Sequence, residues 1–261
     1  MSAYRAPNRV IITADDFGRS TSNNAGVLAA HLAGMVATAS LMVGEPGCEE
    51  AVEIARQHPA LMVGLHVCLS DGSPVSPPSS IPLLIGSDGR FPDNERQLHA
   101  AVRTAEGRRQ VHHEVEAQFR LFSDTRLVCD HVDVHRNSHM HPLVANQVFR
   151  VAAAWAVTNV RVPYDPAIGR PHRLGDPLRW VRSMVLRRLA AYHGLQWMDR
   201  VIGRDWTDPA QLAALIAILP SGTSELFFHP VICDGEHMFK LDLPTLLDSR
   251  VRQALDAWQP S

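Results

Sequence analysis

The sequence predicts an α/β fold built on a parallel sheet, and three observations lead to that prediction. Short apolar runs alternate with longer segments whose apolar residues recur at spacings of three and four. This order of strand then helix repeats roughly six or seven times, which is typical of parallel strands joined by right-handed helical crossovers. The chain has 261 residues, 46% hydrophobic and 20% charged, which suits one domain over 1–261.

Strands are predicted at the short apolar runs, because nearly continuous apolar residues are typical of parallel strands buried on both faces. They are Val10–Ala14, Thr38–Val43, Met62–Cys68, Leu127–Val134, Val160–Val162 and Glu225–Phe228. Helices are predicted where the apolar residues follow the helical period. They are Asn23–Ala33, Glu49–Gln57, Val111–Phe122, Pro142–Trp155, Pro209–Leu219 and Leu243–Ala257.

Two segments interrupt this alternation. Residues 70–92 are rich in proline, glycine and serine, and their length predicts a lid or a substrate loop. Residues 163–194 form a second insertion that contains the basic stretch "RWVRSMVLRRLAAY". Arginines and apolar residues are interspersed in this helix, which predicts packing on the fold or contact with a membrane surface.

The composition bounds the function. A net charge of −2 gives no field that would attract nucleic acid. The four cysteines (Cys48, Cys68, Cys129 and Cys233) have no CxxC spacing, so we expect no disulfide framework. No run approaches about 20 apolar residues, and the N-terminus lacks the apolar stretch of a signal peptide, so we expect a cytoplasmic protein.

Charged and imidazole side chains gather at the ends of the predicted strands, where parallel α/β folds form their functional sites. Each has an ordinary explanation by itself, such as a helix cap or turn for an aspartate or a core hydrogen bond for a histidine. Five strand ends that all carry such groups favour one shared site. The residues are Asp15, Asp16, His66, Asp133, His135, His139, Arg161, Tyr164 and His229.

The residue types favour a metal site. Four of the 14 histidines fall within "DHVDVHRNSHMHP", and a carboxylate with two imidazoles leaves an open position for water, as a catalytic zinc site requires. The adjacent carboxylates of Asp15 and Asp16 should raise each other's pKa, a penalty that a dication would remove. The second carboxylate would then serve as a base beside the activated water.

Three motifs in this order resemble a known family. "TADDFG", then "GLHVCL", then "DHVDVHRNSHMHP" are similar to the motifs of the YdjC-type carbohydrate deacetylases, and the resemblance runs from Arg9 to about Gly235. It implies an irregular (β/α) barrel of about seven parallel strands, similar to a TIM barrel. It also implies removal of the N-acetyl group from amino sugars.

The resemblance implies catalytic roles at the matching positions. Asp15 would be the general base, Arg161 in "VRVPY" would orient it, and His229 in "LFFHP" would be the general acid. The sequence departs from the family after "HP", where Val231 stands in place of the expected glycine.

The resemblance also implies a ligand set for one divalent metal ion, zinc or magnesium. The ligands would be Asp16, His66 and His135. The implied substrate contacts are His139, Tyr164 and Phe17.

One branch of the family is more similar than the others. "LHVCLSDGSPVSPPSSIPLLIGSDGRF" and "VRVPYDP" resemble the hopanoid-biosynthesis-associated (HpnK-like) members. This implies an N-acetylglucosaminyl hopanoid, a sugar on a polycyclic membrane lipid, as substrate, with peripheral contact at the inner membrane. Family members often pair, so a homodimer is expected.

Other functions stay open at this stage. The substrate would otherwise be a chitooligosaccharide or another small amino sugar. A phosphoesterase usually has more carboxylates for two metals, and an amidohydrolase often opens with a His-x-His pair that this first strand lacks. A sugar- or lipid-binding module on the same barrel would not need both Asp15 and Asp16.

Overall fold

The computed structural model describes residues 8–171, 173, 175–204, 206–232 and 242–259. Six parallel strands in this part of the chain form one curled sheet. They are β1 Arg9–Phe17, β2 Thr38–Leu41, β3 Met62–Val67, β4 Cys129–Val134, β5 Arg200–Ile202 and β6 Thr223–Phe228. Their order is β4-β3-β2-β1-β6-β5, so β1 lies near the middle and every strand ends at the same edge.

Nine α-helices accompany the sheet in the described residues. They are α1 Thr21–Leu32, α2 Cys48–Gln57, α3 Arg96–Ala101, α4 Ala105–Asp124, α5 Pro142–Ala154, α6 Asp176–Tyr192, α7 Pro209–Ala217, α8 Asp242–Leu247 and α9 Ser249–Ala257. The periodicity therefore located five helices correctly and joined α8 to α9. Asp248 separates that pair because its side chain accepts a hydrogen bond from Arg250 N and caps α9. Within the described residues, no helix is long and apolar enough to cross a membrane.

The predicted strand at Val160–Val162 forms single bridges instead of a ladder. Val160 bridges Val132 of β4, and Tyr164 bridges Val201 of β5. Pro163 interrupts the segment, since proline has no backbone N–H to donate to a ladder. The segment links the two edge strands of the sheet. The described residues thus contain six strands rather than about seven, and the three-residue β5 was missed because it is too short to give a pattern.

The second insertion is mostly helical. Residues 176–192 form α6, which buries Leu186 and Ala190 on the rest of the fold. Positions 172 and 174 of this insertion lie outside the described residues. The short α3 was not predicted.

The loop at residues 70–92 is fixed to α4. Glu114 is fully buried, and its two carboxylate oxygens accept hydrogen bonds of 2.9 Å from Val75 N and Ser76 N. Gln110 accepts a third from Leu83 N. Displacing the loop would leave these buried groups without partners, which corrects the interpretation of the segment as a lid.

The described cysteines are free thiols, and they are Cys48, Cys68 and Cys129. Burial raises the pKa of Cys129 to about 12, so its thiol is inert at neutral pH. Cys233 lies outside the described residues.

The two faces of the sheet differ in polarity. Ile12 and Ala14 of β1 join the main apolar core with helix residues such as Val115 and Val148. Alternate residues point to the opposite, inner face. That inner face carries buried polar residues of the strands. They are Thr13, Asp15, Thr38, Ser40, His66, His131, Asp133 and Glu225.

Replacing Glu114 with alanine should destabilise the protein by about 3 kcal/mol, because two buried backbone N–H groups lose their acceptors. Urea denaturation would measure this loss. Glu53→Ala on the exposed surface of α2 is the control and should change the free energy of unfolding by less than about 0.5 kcal/mol. A loss below about 1 kcal/mol for Glu114→Ala would mean that the loop is held in another way.

Candidate active site

A bulge at the end of β1 places two consecutive aspartates at one site. Between Ala14 and Phe17, β1 advances three residues while the paired segment of β2 advances two. Asp16 adopts a left-handed backbone conformation, with φ of 61°, which is rare for a residue other than glycine. The extra residue lets both carboxylates approach the inner edge of the sheet, and Phe17 returns to the apolar core.

The two aspartates have different partners. Both oxygens of Asp15 accept hydrogen bonds from the Nη atoms of Arg161, each at 2.7 Å. The same guanidinium donates to Glu225 at 2.7 and 3.0 Å and lies 2.7 Å from Asp133 Oδ2. Arg161 is 1% exposed and is the single arginine or lysine buried in the described residues. The carboxylates raise its pKa despite the opposing effect of burial.

Asp16 faces two imidazoles instead. Its Oδ1 lies 3.0 Å from His135 Nδ1 and 3.5 Å from His66 Nε2. All three side chains are buried, and their ligand atoms lie within 4.8 Å of one another. No described residue supplies a hydrogen-bond partner for any of these three atoms. Three buried potential ligand atoms that converge without a hydrogen-bond partner are what a bound metal ion would explain.

The electrostatics also favour a cation. Burial by itself would raise the pKa of Asp16, but His135 and His66 outweigh it and hold the pKa well below the usual value. For Asp16, this corrects the expectation that the adjacent carboxylate raises its pKa. Asp15 turns away toward Arg161, so the imidazoles and not Asp15 are the nearest partners of Asp16.

His66 is oriented from behind by a third carboxylate. Asp133 Oδ1 lies 2.7 Å from His66 Nδ1, which leaves Nε2 pointing toward Asp16. Burial lowers the pKa of His66, but attraction to Asp133 outweighs this and raises the pKa to about 10. Without a metal, His66 is therefore protonated at neutral pH, and an ion bound at Nε2 would replace that proton.

A second group of potential ligands, Asp15, His66 and Asp133, also lies within the same distance limit. Arg161 already contacts both of its carboxylates at 2.7 Å. A cation there would be held next to a buried guanidinium, and like charges repel strongly in such a place. The group of Asp16, His66 and His135 is the better metal site.

His229 follows β6 at the same edge of the sheet. Ala14 of β1 pairs with Phe228 of β6, so Asp15 and His229 leave neighbouring strands at the same level. The His229 side chain is 30% exposed, and its Nδ1 lies 3.6 Å from Asp242 Oδ2. It also lines a cavity of about 1110 Å³, together with Arg170, Arg204, Trp206, Phe227 and Asp242.

The three implied substrate contacts are placed differently. His139 is fully buried, and its Nε2 bonds the Arg161 carbonyl oxygen at 2.9 Å, so it supports the arginine instead of lining the site. Burial lowers its pKa to about 4, so the ring is neutral. Phe17 has no exposed surface. Tyr164 is half-buried, with the Arg187 guanidinium 4.7 Å from its ring centre.

Sequence reasoning grouped Asp133 with the strand-end side chains but gave it no role, and it left out Glu225, Arg19 and Asp71. Asp133 and Glu225 lie inside strands, and Arg19 and Asp71 lie at the rim beside His135. The signal for the strand residues was available, because a charge inside an apolar strand must point toward a partner. Arg19 and Asp71 gave no such signal, since loop charges are ordinary.

Comparison with known proteins identifies the family of this chain. The profile of the YdjC-like protein family matches residues 9–257. The chain belongs to the YdjC-like family. A mouse protein named carbohydrate deacetylase is 31% identical over 241 residues, covering 85% of this chain and 77% of its own length. A Brevibacillus brevis protein of the same name is 38% identical, but the match spans only 60% of either chain.

A relative from Geobacillus stearothermophilus, also named carbohydrate deacetylase, is 36% identical over 64% of each chain. Among solved structures, an Enterococcus faecalis protein named for cellobiose-phosphate cleavage superposes with a TM-score of 0.77 at 19% identity. It covers 96% of this chain and 95% of its own. That likeness establishes a shared fold.

Zinc binding to the metal-free protein at pH 7 should release about one proton per ion, because His66 must lose its Nε2 proton to become a ligand. Affinity should consequently rise with pH up to about pH 10 and level off above it, where most His66 is neutral. Calorimetry in two buffers of different ionisation enthalpy counts the protons. Release near zero would contradict this state of His66.

His135→Ala removes one ligand of the same site and should weaken zinc binding more than about a hundredfold. Tyr192→Ala on the exposed end of α6 is the control and should bind zinc like the wild type. Unchanged affinity in His135→Ala would exclude His135 from the ligand set.

Proposed function

We propose that this protein is a carbohydrate deacetylase, a metal-dependent hydrolase that removes the N-acetyl group from an N-acetylglucosamine-type sugar. The observation that carries the proposal is the division of adjacent aspartates, with Asp15 on Arg161 and Asp16 on two imidazoles. Metal-assisted hydrolysis of an amide uses a metal site to activate water and a separate base to take its proton, and this arrangement provides residues for both. The names of the relatives support the substrate class.

The ligand set favours zinc. Zinc is commonly bound by imidazole and carboxylate, whereas magnesium prefers octahedral oxygen ligands. A zinc ion held by Asp16, His66 and His135 would lower the pKa of a water molecule and polarise the acetamide carbonyl. The remaining steps are carried by side chains of the protein.

Asp15 is the proposed general base. Arg161 holds both of its oxygens and compensates its buried charge, while each carboxylate oxygen retains a further lone pair. Asp15 would take a proton as the water oxygen forms a bond to the acetyl carbon. Arg161 acts as the orienting residue, since its own position is fixed by Glu225 and Asp133.

His229 is the proposed general acid. It leaves β6 beside Asp15, and Asp242 lies close to its Nδ1, so Nε2 is the nitrogen available to substrate. As the carbon–nitrogen bond breaks, His229 would donate a proton to the departing amine. Acetate and the free amino sugar are the products, and Asp15 and His229 then exchange their protons with water.

For the acceptor of the sugar we propose a membrane lipid of the hopanoid type. The resemblance of residues 65–91 to the hopanoid-associated branch supports this choice. The helix α6 also supports it, because its outward side exposes apolar residues that no other described residue covers. They are Leu178, Trp180, Val181 and Val185, which are 56, 51, 48 and 41% exposed. Arg179, Arg182 and Arg188 are exposed on the same helix, which carries one acidic residue, Asp176.

An anionic lipid surface fits this helix better than a second copy of the chain. Apolar residues flanked by arginines are typical of helices that lie at the interface of acidic membranes. In a two-fold symmetric dimer the helix would meet itself, which would bring the arginines of both copies together. Arg179 also lines the cavity that contains His229, so a docked helix would hold that cavity close to the lipid headgroups.

Asp15→Asn should lower kcat by about 10²- to 10⁴-fold while zinc content stays at the wild-type level, because the variant lacks only the base. Acetate release from an N-acetylglucosaminyl substrate and elemental analysis measure the two quantities. Asp88→Asn in the exposed part of the 70–92 loop is the control. Near-normal kcat for Asp15→Asn would exclude Asp15 as the base.

Turnover should depend on how the substrate is presented. We expect the wild type to remove one acetyl group, seen by mass spectrometry, from an N-acetylglucosaminyl hopanoid in anionic vesicles. The double variant Val181→Asp, Val185→Asp should lose about tenfold of that activity through repulsion from the membrane. The control variant Val128→Asp changes an 86% exposed valine before β4 and should keep the wild-type activity on these vesicles.

Diacetylchitobiose is the parallel soluble substrate. If diacetylchitobiose loses an acetyl group and the hopanoid does not, the substrate is a small amino sugar and not the lipid. Binding of either sugar with no loss of acetyl group from any sample would indicate a sugar-binding protein without the proposed activity.

A further inference from the structure

We propose that Asp133 is a positioning residue. Its single carboxylate orients both His66, the proposed metal ligand, and Arg161, the arginine that holds the base. The inference rests on the proposed function for the roles of those two groups. Asp133 is fully buried. Its Oδ1 lies 2.7 Å from His66 Nδ1, and its Oδ2 lies 2.7 Å from Arg161 Nη1.

The backbone fixes the first contact. Asp133 and His66 are paired residues in the ladder of β3 and β4, and both side chains point to the inner face. A carboxylate accepts but does not donate a hydrogen bond, so His66 must carry its proton on Nδ1. Asp133 therefore leaves Nε2 as the nitrogen that can bind a metal ion, with the ring held in one orientation.

The second contact sets the position of Arg161. Its Nη1 lies between Asp133 Oδ2 and Asp15 Oδ2, at 2.7 Å from each. The charges lie in a buried environment, where attraction is screened far less than in water. Without the charge of Asp133, Arg161 would be drawn toward Asp15 and Glu225, and the base would lose its alignment.

A third contact completes the environment of Asp133. Ser40 Oγ donates to Asp133 Oδ2 at 2.8 Å and also lies 3.0 Å from His131 Nε2. Ser40 touches neither Arg161 nor His66 in the described contacts. Removing this hydroxyl therefore perturbs the same network and leaves both functional contacts of Asp133 in place.

In the described residues, the imidazole of His135 is contacted on the side away from Asp16 by rim residues instead of a buried carboxylate, with Arg19 Nη1 3.1 Å from its Nε2. Asp71 Oδ2 lies 3.7 Å from His135 Nε2, and the Asp71 side chain is 37% exposed. Its main partner is Arg19, at 3.1 Å. The two carboxylates thus differ in distance and in screening, and Asp133 is the better placed of the two to orient an imidazole.

The first test compares zinc affinity by chelator competition, without substrate. Asp133→Asn should weaken zinc binding about 10- to 100-fold and lower kcat with little change in KM. Ser40→Ala, and Asp88→Asn in the exposed part of the 70–92 loop, should each stay within about threefold of the wild type in affinity. A folded Asp133→Asn variant with affinity within threefold of the wild type would overturn the proposal.

The second test uses the unaltered protein, so it does not depend on the folding of a variant. Nitrogen-15 NMR of the zinc-loaded protein reports which nitrogen of each histidine carries a proton. We expect His66 to keep its proton on Nδ1 and to bind zinc through Nε2. Coordination through Nδ1 would overturn the proposal. A protein that passes both tests but releases no acetate would instead refute the proposed function.

Discussion

The structure depends on one buried guanidinium. Arg161 meets Asp15, Asp133 and Glu225 in the interior of the curled sheet, at distances of 2.7 to 3.0 Å. Breaking such a buried pair by removal of one partner typically costs about 3–5 kcal/mol, because the remaining charge stays buried and uncompensated. Arg161 lets three carboxylates occupy this interior, and it draws Asp15 away from Asp16.

The bulge in β1 makes that separation structurally feasible. In a regular strand the side chains of residues 15 and 16 would lie on opposite faces. The extra residue, with Asp16 in the left-handed region, brings both aspartates to the inner edge and returns Phe17 to the apolar core. The left-handed backbone conformation is confined to Asp16, one of the two residues whose charges the site uses, and such strain is common at functional sites.

The sequence was sufficient to predict which side chains meet at the strand ends, and insufficient to predict the charged contacts inside the sheet. Polar residues after apolar runs located Asp16, His66 and His135, because the ends of parallel strands share one edge. Asp133 was grouped with the strand ends but given no role, and Glu225 was passed over, because both lie inside runs that were interpreted as apolar strands. Phe17 was misplaced because a bulge changes which face the following residues occupy, and no local pattern indicates one.

Contacts between residues far apart in the sequence were the other limit on prediction. His139 follows His135 in sequence, yet its side chain bonds the Arg161 carbonyl oxygen, through a contact between residues 22 positions apart. The 70–92 loop has the composition of a flexible segment, but buried side chains of α4 fix it. In both cases the deciding partner lies on another element, which periodicity and composition do not report.

The central claim is that Asp16 binds the metal ion and that Asp15 is the base that takes a proton from water. A crystal structure of the zinc-soaked protein, with anomalous data at the zinc edge, tests it most directly. We expect one zinc ion about 2.0–2.2 Å from Asp16, His66 and His135, with Asp15 still paired to Arg161. An ion bound by Asp15, or one that displaces Arg161 from Asp15 and Asp133, would contradict the account.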